Sequence, residues 1–182
     1  MPPRPGPGQG AARLAQMLRV DHAGELGAVH IYRGQRAVMG GAAGRAPIDA
    51  ELAHMEAHEA RHLARFDELL TEHGVRPTLL APVWRIAGFT LGAATALIGD
   101  EAVNICTEAV ETVIEAHYGA QIEEIGETSP GLAGELAQFR SEEIAHRDQA
   151  RAGGADGGPA GRLLAGAIRL GCRAAIKLSE TL

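Results

Sequence analysis

Two segments of the chain repeat one pattern of metal-binding residue types, and that pattern limits the fold more than any other feature of the sequence. A lone glutamate, Glu25, stands well ahead of Glu59, which opens the run Glu59-Ala60-Arg61-His62. A second, Glu111, stands almost equally far ahead of Glu143, which opens Glu143-Ile144-Ala145-His146. On a helix, Glu-x-x-His places a carboxylate and an imidazole on one face, where both reach a single ion. A gap of about 30 residues suits two antiparallel helices and a turn, which return the chain to the same height. Each half then offers a lone Glu from one helix and Glu-x-x-His from the next, the way four-helix bundles build carboxylate metal sites in their cores. With 17 Glu and 8 His in 182 residues, chance alone supplies about 0.7 such pairs, so one pair means little and a matched set means more. A third pair, Glu51-Leu52-Ala53-His54, shortens the first gap and breaks the match. The predicted ligands are Glu25, Glu59, His62, Glu111, Glu143 and His146.

Charge arithmetic agrees. Four carboxylates balance two divalent cations. Without metal, two carboxylates about 4 Å apart repel by about 4 kcal/mol at an effective dielectric near 20, so four facing inward must protonate, splay or bind cation. Oxygen and imidazole donors without thiolate favour iron or manganese over a zinc–thiolate site. Cys106 and Cys172 are the only cysteines, too few for a disulfide framework or a four-thiolate centre.

The remaining sequence predicts an all-α protein. Helices are expected over about 11–39, 48–73, 79–99, 100–125, 130–151 and from 161 to the C-terminus. Gly74 lies at the end of the second with Pro77 beyond it, Asp100 is the expected N-cap of the fourth, and Ser129-Pro130 starts the fifth. No segment alternates with period two for long enough to make a sheet. Residues 1–10, with Pro2, Pro3, Pro5 and Pro7, read as a short disordered tail before a single domain over 11–182. A net charge of −6 argues against nucleic acid as a partner.

Two segments are greasier than a plain bundle needs. The uncharged run Ile86–Gly99 falls short of the roughly 20 residues that span a bilayer. It reads as a covering or interfacial helix, with Gly88 and Gly92 allowing close helix packing. In the last helix Arg169, Arg173 and Lys177 recur every four residues beside Leu163, Leu164, Ile168, Leu170, Ile176 and Leu178. A cationic amphipathic helix suits an anionic lipid surface; an ordinary surface helix closing the bundle is the alternative. His54, His58 and His73 read as surface residues, and Glu108 and Glu115 as a wet face around Glu111. His22 and His30 read as structural, with a supporting place beside the ligands as the alternative. Gly24 and Gly27, costly inside a helix, call for a closely packed helix, a ligand or a bend.

The chain resembles the demethoxyubiquinone hydroxylases, ferritin-like di-iron monooxygenases of ubiquinone biosynthesis. The likeness rests on Leu18-Arg19-Val20-Asp21-His22-Ala23-Gly24-Glu25 with Ile31-Tyr32-Arg33-Gly34-Gln35, on Glu59-Ala60-Arg61-His62-Leu63 and Val75-Arg76-Pro77-Thr78, and on Gly92-Ala93-Ala94-Thr95-Ala96-Leu97. It continues through Ala109-Val110-Glu111 with His117-Tyr118, Glu142-Glu143-Ile144-Ala145-His146, Gly171-Cys172-Arg173-Ala174-Ala175-Ile176 and Leu178-Ser179-Glu180, and covers nearly everything from about residue 17 onward. Asp-His-Ala-Gly-Glu is its specific block; Glu-x-x-His is common to ferritin-like proteins. The stretch between Glu111 and His117 and the loop at 40–47 depart from the family pattern, and neither touches a predicted ligand.

The resemblance implies a ferritin-like four-helix bundle with two additional apolar or amphipathic helices. It implies the same six ligands holding two iron ions, with Glu59 and Glu143 bridging, and molecular oxygen used to hydroxylate the ring of a demethoxyubiquinol or demethoxyubiquinone. It implies a polyprenyl quinol substrate, NADH as reductant acting through the quinone, and a redox-assisting place for His117 and Tyr118, although no dinucleotide fingerprint occurs. Tyr32 shares that electron-guiding role or is simply core. The expected setting is peripheral, on the cytoplasmic side of a bacterial inner membrane given the absence of a presequence; the alternative is the matrix side of the mitochondrial inner membrane. A lipid-binding accessory protein or a homo-oligomer completes the expected partners. The chief rival is a ferritin-like iron-storage protein with the same ligands and no organic substrate. A rubrerythrin-like peroxide reductase lacks its thiolates here, and a tRNA-nucleoside hydroxylase suits the negative charge poorly.

Overall fold

The computed structural model describes residues 9–42 and 44–181. Six helices follow in order: α1 Gln9–Met39, α2 Ala46–Glu72, α3 Ala81–Ile98, α4 Asp100–Ile125, α5 Pro130–Ala152 and α6 Gly158–Thr181, with no strand among the described residues. The expected tail falls on residues 1–8, outside the described residues, except for Gln9 and Gly10, which already belong to α1. α2 stops at Gly74, whose positive φ of 63° a side chain would resist. The expected N-cap of α4 is corrected by one residue. Gly99 caps the helix in an extended, positive-φ conformation, and Asp100 is its first helical residue, paired with Arg45 at 2.8 Å.

The helices form two consecutive triplets of the same plan. α1 packs against α2 and α3; α4 packs against α5 and α6. α1, α2, α4 and α5 enclose the core, while α3 and α6 cover one side, touching α4 and α1 respectively. This is the ferritin-like bundle with two extra helices that the sequence predicts.

Buried residues recur every seventh position and so line one face of each core helix. The rows are Leu18, Glu25, Tyr32 and Met39 on α1; Leu52, Glu59 and Phe66 on α2; Glu111, Tyr118 and Ile125 on α4; and Leu136, Glu143 and Ala150 on α5. Each row is apolar or aromatic except at its one glutamate. One apolar cluster, with Leu18, Phe66, Leu69, Tyr118 and Leu136, fills one end of the bundle. Another, with Tyr32, Met39, Leu52, Met55 and Val103, fills the other, and the four glutamates lie at the waist between them.

α3 lies on α1 backbone to backbone. A Cβ added at Gly88 would strike the Gly27 carbonyl, one at Gly92 the Ile31 carbonyl, and one at Gly34 the Phe89 carbonyl. The close packing expected at Gly88 and Gly92 is thus present. α6 sits differently. Ala165 and Ile168 pack over Ile105, Cys106 and Ala109, and Arg169 reaches Glu108 at 2.5 Å. Both covering helices leave apolar side chains in solvent: Ile86 is 70% exposed, Leu97 76% and Leu163 76%. α3 is long and apolar enough to cross a membrane by length and composition, but one of its faces is used against α1.

Candidate metal centre

All six predicted ligands are buried, and their side chains converge. Their donor atoms fall into two groups, Glu25, Glu59, His62 and Glu143, and Glu59, Glu111, Glu143 and His146, with the atoms of each within 4.8 Å of one another. The groups share Glu59 and Glu143. Glu143 turns Oε1 to His62 Nδ1 at 3.1 Å and Oε2 to His146 Nδ1 at 3.7 Å. Glu59 turns Oε1 to His146 Nδ1 at 3.1 Å and Oε2 to His62 Nδ1 at 3.8 Å. Each thus faces both imidazoles, as a bridging carboxylate must.

Cation-shaped demand is written in the unpaired atoms. Glu25 Oε2, Glu111 Oε2, both oxygens of Glu59 and Glu143, and Nδ1 of both histidines are buried without a hydrogen-bond partner among the described residues. So many orphaned acceptors in one place are costly unless a cation meets them. Burial, then the neighbouring carboxylates, pushes Glu59 and Glu111 well above the ordinary carboxylate range, and burial raises Glu143 as well. Burial also works against the charge on His62, but the acceptors Glu143 and Glu25 outweigh it and raise that imidazole to about 10. His146 goes the other way because burial dominates. The donor set fits two hard divalent cations, with oxygen and nitrogen ligands and no sulfur.

Two tyrosines complete the shell in a way the spacing of ligands alone did not disclose. Tyr118 on α4 donates its hydroxyl to Glu25 Oε1 on α1. Tyr32 on α1 donates to Glu111 Oε1 on α4 at 2.5 Å. Each tyrosine lies seven residues after the lone glutamate of its own half and serves the glutamate of the other. That equal offset was the available signal. Each bond leaves Oε2 of the same carboxylate free to face the centre.

His117 does not join its neighbour there. Its half-buried ring lies 3.3 Å from Asp21 and accepts a hydrogen bond from Gln121 Nε2, which also donates to Asp21. Asp21 is buried, and its burial raises its pKa. His22 pairs with Asp67, and His30 bonds the Leu26 carbonyl of its own helix. Three expectations need correction. His58 is not a free surface residue: its ring lies 5.2 Å from that of His146, and its Nδ1 lies 3.3 Å from Glu142. The face around Glu111 is not simply wet, because Glu108 is held by Arg151 and Arg169, and Glu115 by Arg140 and Arg147. For the same reason Arg169 faces the bundle rather than standing free in the cationic stripe.

Beside the centre lies an apolar cavity of about 530 Å³ between α1, α3, α4 and α6. Gly24 and Val110, the chain neighbours of Glu25 and Glu111, are in its wall, with Ala28, Leu91, Ile168 and Cys172. Among the described residues, no atom from outside the local helix backbone approaches within 4 Å of a Cβ placed on Gly24 or Gly27, so these glycines keep the cavity open. At one end Trp84 Nε1 donates to Ser179 Oγ at 3.0 Å and joins α3 to α6.

The profile of a protein family described as "Ubiquinone biosynthesis protein COQ7" matches residues 12–179. The chain is 46% identical to a 3-demethoxyubiquinol 3-hydroxylase of Rhodospirillum rubrum, over 97% of this chain and 82% of that one. It is 46% identical to a mitochondrial NADPH-dependent 3-demethoxyubiquinone 3-hydroxylase of Rattus norvegicus, over 93% of this chain and 78% of the relative. The protein of the same name from Homo sapiens is 44% identical, over 94% of this chain and 79% of the relative.

Proposed function

The chain belongs to the family of the ubiquinone biosynthesis protein COQ7, and from that premise we propose that it hydroxylates the ring of a demethoxyubiquinol at a di-iron centre. The observation that carries this reading is the adjacency of two donor groups sharing Glu59 and Glu143 to an apolar cavity walled by Gly24 and Val110. Glu25 and His62 would hold one ion, Glu111 and His146 the other, and Glu59 and Glu143 would be shared between them. Two iron ions bound there would supply the activation of molecular oxygen for a monooxygenation in which O2, two electrons from a reduced nicotinamide and two protons give the ring hydroxyl and one water.

The side chains do the rest. Tyr118 and Tyr32 hold one oxygen of Glu25 and of Glu111 and so aim the other inward. The cavity excludes water and holds the quinol ring against Gly24 and Val110; its volume suits a ring with the start of an apolar tail. The polyprenyl tail runs on between α3 and α6. The exposed Ile86, Leu97, Leu163 and Leu170 rest these helices on a lipid surface, and a lipid-binding accessory protein or second copy is the other occupant that this face suits. The setting is peripheral, on a bacterial inner membrane or on the matrix side of the mitochondrial inner membrane, since the relatives include both bacterial and mitochondrial proteins. An iron store needs neither the cavity nor the apolar faces.

The test is a quinone profile. Cells lacking the protein should accumulate a demethoxyubiquinone, and purified protein should hold two irons per chain. An unchanged quinone profile in those cells, with purified protein that does hold two irons, would overturn the assignment.

A further inference from the structure

The two halves match ligand for ligand, but the residue preceding each bridging glutamate differs: His58 before Glu59, and Glu142 before Glu143. The pseudo-twofold relation carries each across to the other half's histidine. Glu142 Oε2 accepts the Nε2 proton of His62 at 3.1 Å. His58 occupies the corresponding place beside His146, with ring centroids 5.2 Å apart, and Nε2 of the buried His146 has no hydrogen-bond partner among the described residues. Glu142 itself gathers the cross-axis contacts: His58 Nδ1 at 3.3 Å and Arg61 Nη2 at 3.5 Å share its Oε2 with His62.

A carboxylate at the far nitrogen of a metal-binding imidazole fixes the proton there. It leaves the other nitrogen's lone pair for the ion and makes the ring more basic. For His62 that leaves Nδ1, the atom facing Glu25, Glu59 and Glu143. His146 has the same inward Nδ1 but no acceptor to fix its tautomer, and its outer neighbour is a second imidazole.

We propose that Glu142 is a positioning residue that makes the two metal positions unequal: the one held by Glu25 and His62 binds first and tightly, and the one held by Glu111 and His146 binds second and exchanges more readily. This rests on the dinuclear reading given above.

The experiment is an anaerobic titration of the metal-free full chain with Co²⁺, followed by visible absorption, with far-UV circular dichroism to establish folding. The wild type should take up two Co²⁺ in resolved steps. Glu142→Gln should weaken the first step by about 10- to 100-fold and leave the second in place, so that the steps merge. Glu142→Asp should restore part of the separation. His58→Glu, which gives His146 the acceptor it lacks, should tighten the second step and bring the two together from the other side. Two ions bound by the wild type in one unresolved step would overturn the proposal, as would equal weakening of both steps, or of neither, by Glu142→Gln. A wild type that takes up no second Co²⁺, or a Glu59→Ala protein that still binds two, would instead overturn the dinuclear reading itself.

Discussion

The half made of α1, α2 and α3 and the half made of α4, α5 and α6 agree in their six predicted metal ligands and part most widely in their covering helices. Both carry a lone glutamate, a tyrosine seven residues later and a Glu-x-x-His pair on the next helix. Their third helices obey different rules. α3 is pressed on α1 through glycines with carbonyls in the place of side chains; α6 is held to α4 by small apolar contacts and the Arg169–Glu108 pair. The cavity lies where the second arrangement leaves space. A dinuclear site shared by two halves demands matching ligands at matching heights, whereas a ligand cavity needs only one cover to stand off.

The largest effects should come from what the halves share. Glu59→Ala and Glu143→Ala should each cost more than about 100-fold in metal affinity, beyond what loss of an outer-shell partner costs, and equilibrium dialysis should find them alike. Both should raise the unfolding midpoint of the metal-free protein, because each removes one of four crowded carboxylates. A large difference between them would break the equal sharing of Glu59 and Glu143 between the two donor groups.

The next effects separate the covering helices. Gly92→Ala places a methyl group against the Ile31 carbonyl and should destabilise by about 1–3 kcal/mol, read from urea unfolding. A Cβ at Gly24 meets no neighbouring atom within 4 Å, so the Gly24→Leu side chain starts into open cavity. It should leave metal content intact while occupying the cavity, raising the KM for quinol about tenfold or more, a cost on the order of 1.4 kcal/mol. Gly166→Ala on α6 also meets nothing within 4 Å and should stabilise by up to about 1 kcal/mol. If Gly92 and Gly166 tolerated alanine equally, the contrast between α3 and α6 would fail.

The smallest effect concerns the tie between α4 and α6. Burial works against the Glu108 charge, but hydrogen bonds from Arg151 and Arg169 outweigh it and hold this carboxyl below its usual range. A folded-state pKa below the unfolded one, near 4.3, means the contribution is present above that value and is lost as pH falls through the folded pKa. Glu108→Gln should cost about 1 kcal/mol at pH 7, and the gap from wild type should close as pH drops from 5 toward 3.

The legible part of this molecule is its local periodicity. Glu59/His62 and Glu143/His146 follow from helical spacing alone, and the matched gaps selected them over Glu51/His54. Helix ends are placed within a few residues because glycines and prolines punctuate the chain. The partners of Tyr32, Tyr118, His58 and Glu142 lie on other helices, and which helix faces which is decided by packing. The equal offsets of seven residues were present in the sequence, but they acquire meaning only once α1 faces α4. The cavity was hidden for a further reason. Gly24 and Gly27 signal an absence of side chains, and nothing local distinguishes a floor left bare for a ligand from one pressed by a neighbouring helix. Within one glycine-rich interface the structure holds both cases, since Gly88 meets the Gly27 carbonyl while the Cβ direction of Gly27 is open.

That interface also settles which wall can yield. α3 cannot slide along α1 without driving carbonyls into Cα atoms, so it behaves as a door frame. α6 hangs from a guanidinium–carboxylate pair at its middle and from the Trp84–Ser179 bond near its C-terminal end, links that break and re-form without distorting backbone. Accommodation of a bulkier guest therefore falls to α6, the leaf that swings.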